Sequence, residues 1–335
     1  MYNLNNELKE KISNLNDALE YKYNHYLDLN KNDFRAFIRQ YIGSIIPMEK
    51  LDKDILSIYE GKGGIVGVDG SNNRVGGAYP HYIEIYQALA KSTVYTDNPI
   101  FNSDVYCPLY PENGENPLED EKIIEDKRNI LLATLEVKAA IEAVSKHKPY
   151  AILMDGGLIR YNIYAYDMWM ELKTRCEEEG IILIGVIKDI KTSIIGDVMQ
   201  EQNPDIKDIF YDRELLFGVL DYGEMILIDD EVNRKKKEGY SSVFLRSSLA
   251  PSVIGMDIID TQKEYIEEMA RLVFTLTPEN SRGVPLWLDI VDKEVKISDD
   301  MMRALLERYL DRGVYERFFV SERRKDIVNS EQHRI

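Results

Sequence analysis

Cysteine is scarce in this chain, with Cys107 and Cys176 the only two among 335 residues. They lie far apart, and the sequence contains neither a CxxC pair nor the cysteine and histidine spacings of a zinc site. These absences exclude a disulfide framework. We therefore expect two reduced cysteines with structural roles, as is usual in a reducing compartment.

Long apolar runs are also missing. No segment reaches the roughly 18 apolar residues that a membrane-spanning helix needs. The first residues, MYNLNNELKEKISNLNDALE, lack the basic and then apolar order of a signal peptide. The sequence therefore predicts a cytoplasmic protein that has no membrane partner.

Positive charge is in the minority, because 42 Lys and Arg residues face 59 Asp and Glu residues, for a net charge of −17. An acidic surface repels phosphate backbones, so the composition argues against a protein that coats nucleic acid. Net charge does not say where the charges lie, and a local basic channel remains compatible with it. The excess of carboxylates also suits a divalent cation.

The sequence contains enough apolar residues, 44%, for a sizeable core. Residues 1–60 are predicted to form an N-terminal helical segment, and residues 61–335 the main domain. Within the segment, a second helical run at about 33–47 is limited by Pro47. The first helix carries apolar residues at spacings of three and four, namely Leu4, Leu8, Ile12, Leu15 and Leu19.

The order of elements after residue 60 predicts an α/β core built on a mixed sheet. Residues 97–120 contain several prolines and are predicted to be irregular, and the KKKEGY stretch to be a solvated loop. Gly180 is expected to cap the end of a helix. The predicted strands are 64–69, two strands within 78–95, 150–155, 181–188, and the EMILIDD and SSVFLRSS stretches. The predicted helices are 119–146, 164–179, 213–220, 261–276 and 298–312.

Two predicted strands each end in a carboxylate followed by glycine: Asp69 in GVDGSN and Asp155 in AILMDGGL. Ligands of α/β sheets bind at the carboxyl ends of strands, and neighbouring carboxylates there suit Mg²⁺ or Mn²⁺. An Asp-Gly pair after a strand is more often a simple turn, so spacing alone leaves both interpretations open. Glu136 lies beside the apolar face of its helix, either as a solvated charge or as an inward ligand.

Taken in order, the motifs of residues 60–335 resemble the NurA nucleases, a family that acts in DNA end processing beside a hexameric ATPase called HerA. One departure is Gly157, at a position where the family has serine, and there we expect only a loop adjustment. The motifs are GVDGSN, KRNILLATLEVKAAIEAV, AILMDGGL, IILIGVIKD, FYDRELL, RGVPLWLDIVDKEVKIS and RRKDIVNSEQHRI.

The resemblance implies an RNase H-like fold, in which a mixed sheet is flanked by helices and carries acidic residues on neighbouring strands and one helix. It implies that Asp69, Glu136 and Asp155 are catalytic and bind Mn²⁺ or Mg²⁺. His333 is implied as a catalytic residue that either completes the metal site or moves a proton. It also implies a homodimer with a central channel for DNA, and such a channel would reconcile the acidic composition with a nucleic-acid substrate.

Lys188, Arg323 and Arg324 are expected to contact DNA, although each could equally be a solvated charge. Asp212 could be a further metal ligand or a charge at a helix N-terminus, where carboxylates are favoured. We prefer the second interpretation.

The sequence therefore predicts a metal-dependent DNA nuclease, a 5′-3′ exonuclease and single-strand endonuclease, acting in DNA end resection and double-strand break repair with a HerA-type ATPase. One alternative is a dimeric collar that guides DNA without cutting it. Another is the nuclease component of an anti-phage defence complex. An ATPase or actin-like phosphotransferase is disfavoured because the chain has no GxxxxGK[ST] motif and no second phosphate-binding glycine turn.

Overall fold

A computed structural model describes residues 5–27, 30–110 and 121–320 of the chain. Both helices and strands occur along these ranges, together with two short 3-10 segments, Arg234–Glu238 and Asp260–Tyr265. The described strands are β1 Gly43–Pro47, β2 Ile65–Gly76, β3 Tyr82–Ser92, β4 Ile100–Tyr106, β5 Ala151–Asp155, β6 Ile182–Ile187, β7 Glu224–Ile228, β8 Tyr240–Leu245 and β9 Ile254–Ile259. The described helices are α1 Asn6–Leu27, α2 Lys31–Tyr41, α3 Lys53–Gly61, α4 Glu121–His147, α5 Ile159–Tyr164, α6 Tyr166–Glu179, α7 Ile194–Gln202, α8 Asp212–Leu215, α9 Ile266–Leu276, α10 Leu286–Val295, α11 Asp299–Tyr309 and α12 Arg312–Phe318.

All nine of these strands form one mixed sheet in the order β1-β7-β8-β9-β6-β5-β2-β3-β4. Strand β2 is antiparallel to β3 and parallel to β5, and β5 is in turn parallel to β6. The apolar sequences of β5 and β6 fit this position, since central parallel strands are covered on both faces. The β4-β3-β2-β5-β6 part, with α4 connecting β4 to β5, is the RNase H-like arrangement that the resemblance implied.

Helices cover both faces of the central strands. On one face, Met154 of β5 packs with Trp169 of α6 and the apolar side of α4. On the other face, Leu153 of β5 packs with Leu288 of α10 and the apolar side of α9. Successive residues of a strand therefore enter different cores.

This alternation determines on which face of the sheet each side chain at the end of β2 lies. Val68 lies in the core beneath α4. A side chain at Gly67 would instead meet Trp287 of α10, at 3.1 Å from an added Cβ. Asp69 is two residues after Gly67, so its side chain lies on the same face of the sheet, towards α10. Gly70 lies on the other face, towards α4.

The N-terminal segment differs in part from the prediction. Helix α1 confirms the first predicted helix, and its described apolar residues, such as Ile12 and Leu15, are exposed. The helix predicted over 33–47 is wrong in its second half. Helix α2 ends at Tyr41, and β1 follows as an edge strand with Pro47 at its end, where a missing N–H is tolerated. Since β1 pairs with β7, residues 43–47 belong to the main sheet; a domain division at residue 60 stays a prediction.

The region around β3 and β4 corrects two further predictions. Residues 78–95 contain one strand rather than two, because β3 is buried along most of its length between helices of both faces. Residues 100–106, predicted to be irregular, form β4; the prolines at 99 and 108 flank this strand and do not interrupt it. Residues 111–120 lie outside the described ranges.

Other predicted elements are confirmed with changed limits. The helix predicted at 164–179 is α6, which begins at Tyr166, and the short helix α5 before it was not predicted. Gly180 ends α6 in the left-handed conformation, with φ of 66°. Helices α7, α10 and α12 and strand β9 were not predicted, and α10 is the one that matters for the site.

Two absences noted in the sequence extend to the structure. Cys107 and Cys176 are both free thiols, and burial of Cys176 on the inner face of α6 raises its pKa to about 12. Across the described ranges, none of the helices combines the length and apolarity that crossing a bilayer demands.

Candidate active site

Asp69 and Asp155 lie side by side at one edge of the sheet. The parallel pairing of β2 with β5 aligns Val68 with Met154, and the two aspartates follow these residues directly. Asp69 is only 7% exposed, and the Gly70 N–H donates a 2.7 Å hydrogen bond to its Oδ1. The predicted proximity of the two strand-end carboxylates is therefore what the structure shows.

A third carboxylate, Asp292 of α10, completes this cluster. Oxygen atoms of Asp69, Asp155 and Asp292 all lie within 4.8 Å of one another. The sequence analysis missed Asp292, because α10 was not predicted and the direction in which Asp69 points was not known. The signal was present in the LWLDIVDKEV stretch, whose apolar spacing suits a helix with acidic residues on its other side.

The cluster carries more negative charge than its neighbours neutralise. Burial raises the pKa of Asp69 to about 9, and repulsion from Asp155 and Glu136 acts in the same direction. Lys188 opposes this effect, with its Nζ 2.5 Å from Asp155 Oδ2 and 3.9 Å from Asp292 Oδ1. A divalent cation among these oxygens would relieve the repulsion, so the donor set fits Mg²⁺ or Mn²⁺.

Glu136 reaches the same edge from α4, on the opposite face of the sheet from Asp292. Its side chain is 1% exposed, so the alternative of a solvated helix charge is wrong. Arg160 Nη1 lies 3.0 Å from Oε2, and Nη2 donates to Oε1 at 3.2 Å. Burial raises the pKa of Glu136, and the Arg160 charge opposes that shift. Glu136 Oε2 accepts no hydrogen bond within the described part of the chain and could accept one from a ligand.

Asp69, Asp155 and Glu136 open into a cavity of about 650 Å³. Besides these acids, its wall includes four basic side chains from three parts of the chain, a mixture that suits an anionic substrate held near a cation. The basic residues that line it are Arg160, Lys188, Lys191 and Lys235.

Lys235 belongs to the KKKEGY stretch that was predicted to be solvated, and for this residue the prediction is wrong. Its Nζ lies 2.7 Å from both oxygens of Asp257, which is fully buried on β9. Asp257 also accepts hydrogen bonds from Ser242 Oγ and the Leu158 N–H. A buried carboxylate requires such partners, and this one holds the start of α5, just after Asp155.

The structure gives a different outcome for each of the other predicted site residues that it describes. Lys188 lies at the carboxylate cluster, while its contact with DNA stays a prediction. Asp212 does not line the cavity; it is buried, and it accepts hydrogen bonds from Thr192 Oγ1 and the N–H groups of Ile194 and Ile195 at the start of α7. His333, Arg323 and Arg324 lie outside the described residues.

A substitution at Gly70 tests how precisely the Glu136 carboxylate must be positioned. A Cβ at this position would lie 2.4 Å from Glu136 Oε1 and 2.7 Å from Leu132 Cδ1. We expect Gly70→Ala to displace the Glu136 carboxylate and to lower metal-dependent activity about 10- to 100-fold, as changes to residues that orient metal ligands do.

Gly77→Ala is the matched control for this substitution. It adds the same methyl group in the same β2–β3 region, where the nearest atom, His81 O, is 3.8 Å away. Equal activities of the two variants, measured with one DNA substrate and one metal, would show that the position of Glu136 is unimportant.

Several solved structures resemble this chain at low similarity. Endonuclease V from Bacillus subtilis is 13% identical with a TM-score of 0.39, and the match covers 83% of this chain and 94% of that one. The catalytic domain of human endonuclease V is 12% identical with a TM-score of 0.37, covering 83% and 96%. Drosophila Piwi is 10% identical with a TM-score of 0.35, covering 69% and 29%. Similarities of this size carry no argument about the substrate.

Sequence comparison identifies the family. No curated protein matches this sequence. The NurA domain model matches residues 63–297, which is well over half of the chain. The matched range contains Asp69, Glu136, Asp155 and Asp292, and therefore all the carboxylates gathered at the sheet edge. The chain belongs to the NurA family of nucleases.

Proposed function

We propose that this protein is a DNA nuclease that depends on Mn²⁺ or Mg²⁺. The observation that carries the proposal is the cluster of Asp69, Asp155 and Asp292, whose oxygens lie within 4.8 Å of one another beside a cavity with basic walls. Membership of the NurA family supports the same activity.

The residues fit a hard divalent cation. Asp69, Asp155 and Asp292 would hold it, with Glu136 on the other side of the strand end. All four are oxygen donors, the type that Mg²⁺ and Mn²⁺ prefer. When bound, such an ion supplies a Lewis acid for phosphodiester hydrolysis and lowers the pKa of water.

The other side chains of the cavity have separate tasks in this proposal. Lys188 is placed to neutralise negative charge on a phosphate at the cluster. The Arg160 charge opposes the rise that burial causes in the pKa of Glu136, and the Arg160 contacts orient the carboxylate. The unused lone pair of Glu136 Oε2 is available to accept a hydrogen bond from an attacking water.

We further propose that the protein works as a homodimer with a HerA-type ATPase in DNA end resection, as a 5′-3′ exonuclease and single-strand endonuclease. The net charge of −17 supports a substrate that is confined to a local basic path, because the surface as a whole repels DNA. The absence of a GxxxxGK[ST] motif supports a partner that hydrolyses ATP. His333, Arg323 and Arg324 are proposed to complete the site and the DNA path.

The direct test uses purified protein with single- and double-stranded DNA that is labelled at either end. Each substrate is incubated with Mn²⁺, Mg²⁺ or EDTA. We expect cleavage with Mn²⁺ or Mg²⁺ and none with EDTA. The order in which products appear from the 5′- and 3′-labelled strands gives the direction of digestion.

The same assay distinguishes the alternatives. DNA that stays intact with every metal, both alone and with the ATPase present, would contradict the nuclease and favour a collar that guides DNA without cutting it. Cleavage that appears only with the ATPase would keep the nuclease and make its activity dependent on the partner.

A further inference from the structure

A second cavity, of about 530 Å³, adjoins the first along α4. The two cavities share Asn129 and Leu132 of α4 as wall residues. Arg128 of this cavity and Glu136 of the metal site are separated by eight residues of the same helix, a distance of about 12 Å. A strand of DNA held at the metal site would therefore pass this cavity within a few nucleotides.

Two guanidinium groups lie at this cavity and share one carboxylate. Glu84 is 2% exposed and accepts hydrogen bonds from Arg74 Nε and Arg128 Nε, each at 2.9 Å, and from Tyr86 Oη at 2.7 Å. Glu125 is exposed where it lines the same cavity. Each guanidinium has five N–H donors, so the contacts with Glu84 leave donors of both arginines for a ligand.

A buried hydroxyl group in the same wall has no hydrogen-bond partner among the residues that the structure describes. Tyr82 is fully buried, and within the described ranges its Oη forms no hydrogen bond. The Arg74 guanidinium lies over the Tyr82 ring, 3.5 Å from its centroid. Leaving a buried hydroxyl unpaired is unfavourable, and a polar ligand in the cavity would restore the missing bond.

Aromatic and guanidinium groups together favour one class of ligand. Tyr79, which is 37% exposed, lines the cavity beside Arg74 and Tyr82. Unpaired bases stack on tyrosine rings and on arginine planes, and arginines bind phosphate. The cavity volume falls in the range of about 300–1,000 Å³ that is typical of small-molecule sites, which is too small for a duplex.

We propose that this second cavity binds an unpaired nucleotide of the DNA strand that is cut at the neighbouring metal site. The inference rests on the proposed nuclease function and names its substrate: a single-stranded or locally opened strand. Arg74 and Arg128 contact the nucleotide phosphate, Tyr82 Oη donates a hydrogen bond to the nucleotide, and the base stacks on Tyr79.

The test measures binding without cleavage. Full-length protein is titrated against a 5′-fluorescein-labelled oligonucleotide of twelve thymidines, in EDTA, and fluorescence anisotropy is recorded. We expect Tyr82→Phe to weaken binding about 3- to 10-fold, the effect of one hydrogen bond. Its thermal stability should not fall, because the deleted hydroxyl forms no hydrogen bond with the described part of the chain. This variant avoids the folding problem that truncating a buried tyrosine would cause.

A second set of variants tests stacking. Tyr79→Leu is expected to weaken binding about 5- to 100-fold, whereas Tyr79→Phe keeps the ring and should restore binding. Tyr309→Leu is the matched control, because Tyr309 is 73% exposed at the end of α11. This variant should bind the oligonucleotide as the unaltered protein does. Binding of a blunt-ended duplex should not respond to the Tyr79 or Tyr82 substitutions.

Unchanged affinity of Tyr82→Phe for the oligonucleotide would overturn the proposal, whatever the Tyr79 variants do. Parallel assays with Mn²⁺ separate this failure from failure of the nuclease. If the unaltered protein cuts DNA while all variants bind equally, the nucleotide site is wrong and the nuclease stands. If the expected binding pattern appears and no metal supports cutting, the nuclease is wrong and the nucleotide site stands.

Discussion

Replacing Asp69 with asparagine is expected to reduce metal-dependent DNA cleavage about a thousandfold or more, because several kcal/mol of electrostatic stabilisation by a bound cation would be lost, and each 1.36 kcal/mol changes a rate tenfold. Asparagine keeps the size of the side chain and a carbonyl oxygen, so the change removes mainly charge. Asp300→Asn, whose side chain is 95% exposed on α11, should leave the rate unchanged. Cleavage is measured with labelled DNA at saturating Mn²⁺.

The same substitution should stabilise the protein when metal is absent. The pKa of Asp69 rises to about 9 on folding, so the folded state holds this proton more tightly than the unfolded state does. Its contribution to stability is therefore complete below the ordinary pKa, near 4, and is lost as the pH rises towards 9. Asparagine has no proton to lose, and Asp69→Asn should unfold at a higher temperature than the unaltered protein at pH 8.

Thermal unfolding in EDTA at pH 5 and pH 8 checks this expectation. The stabilising effect of Asp69→Asn should be large at pH 8 and small at pH 5. Adding Mn²⁺ at pH 8 should stabilise the unaltered protein more than the variant, because only the former keeps the complete ligand set. A variant that is less stable than the unaltered protein at pH 8 in EDTA would contradict an unfavourable negative charge at Asp69, caused by burial and by repulsion from Asp155 and Glu136.

Replacing Asp212 with alanine is expected to lower the free energy of unfolding by about 3 kcal/mol. Three donors, Thr192 Oγ1 and the N–H groups of Ile194 and Ile195, lose their acceptor, and each buried unsatisfied group costs about 1–3 kcal/mol. Full burial of Asp212 prevents water from replacing the carboxylate. Urea denaturation measures the loss.

The Asp212 experiment also decides between the two roles that the sequence left open. A structural cap predicts lower stability with unchanged Mn²⁺ affinity of the folded protein. A metal ligand predicts the reverse. Asp208→Ala, an exposed position in the preceding loop, is the control and should change neither quantity.

Local patterns explain why part of this site could be predicted from sequence. An apolar run, an aspartate and a glycine follow one another at Asp69 and again at Asp155, and parallel pairing then brings their ends together. Glu136 stood out because it lies at the edge of an apolar helix face. These signals involve residues that are close in the chain, and the structure places all three at one cavity.

The rest depended on relations that no local pattern contains. Asp292 lies more than a hundred residues after Asp155, on a ten-residue helix that follows Pro285. Lys235 has the composition of a solvated loop, and only the buried Asp257 on another strand changes its role. Strand β4 was missed because its flanking prolines are typical of loops, although they stand outside the strand.

Strand β2 has a consequence for how the family can vary. Asp69 and Gly70 lie on opposite faces of the sheet, so inserting or deleting one residue before Asp69 would move the carboxylate to the face beneath α4. It would also put a side chain at the position of Gly70, where Glu136 and Leu132 leave no room for a Cβ atom. An insertion or deletion of two residues keeps each side chain on its own face of the sheet. Length changes of odd number before Asp69 therefore move its carboxylate out of the cluster, and we expect an alignment of homologues across this strand to be free of single-residue gaps.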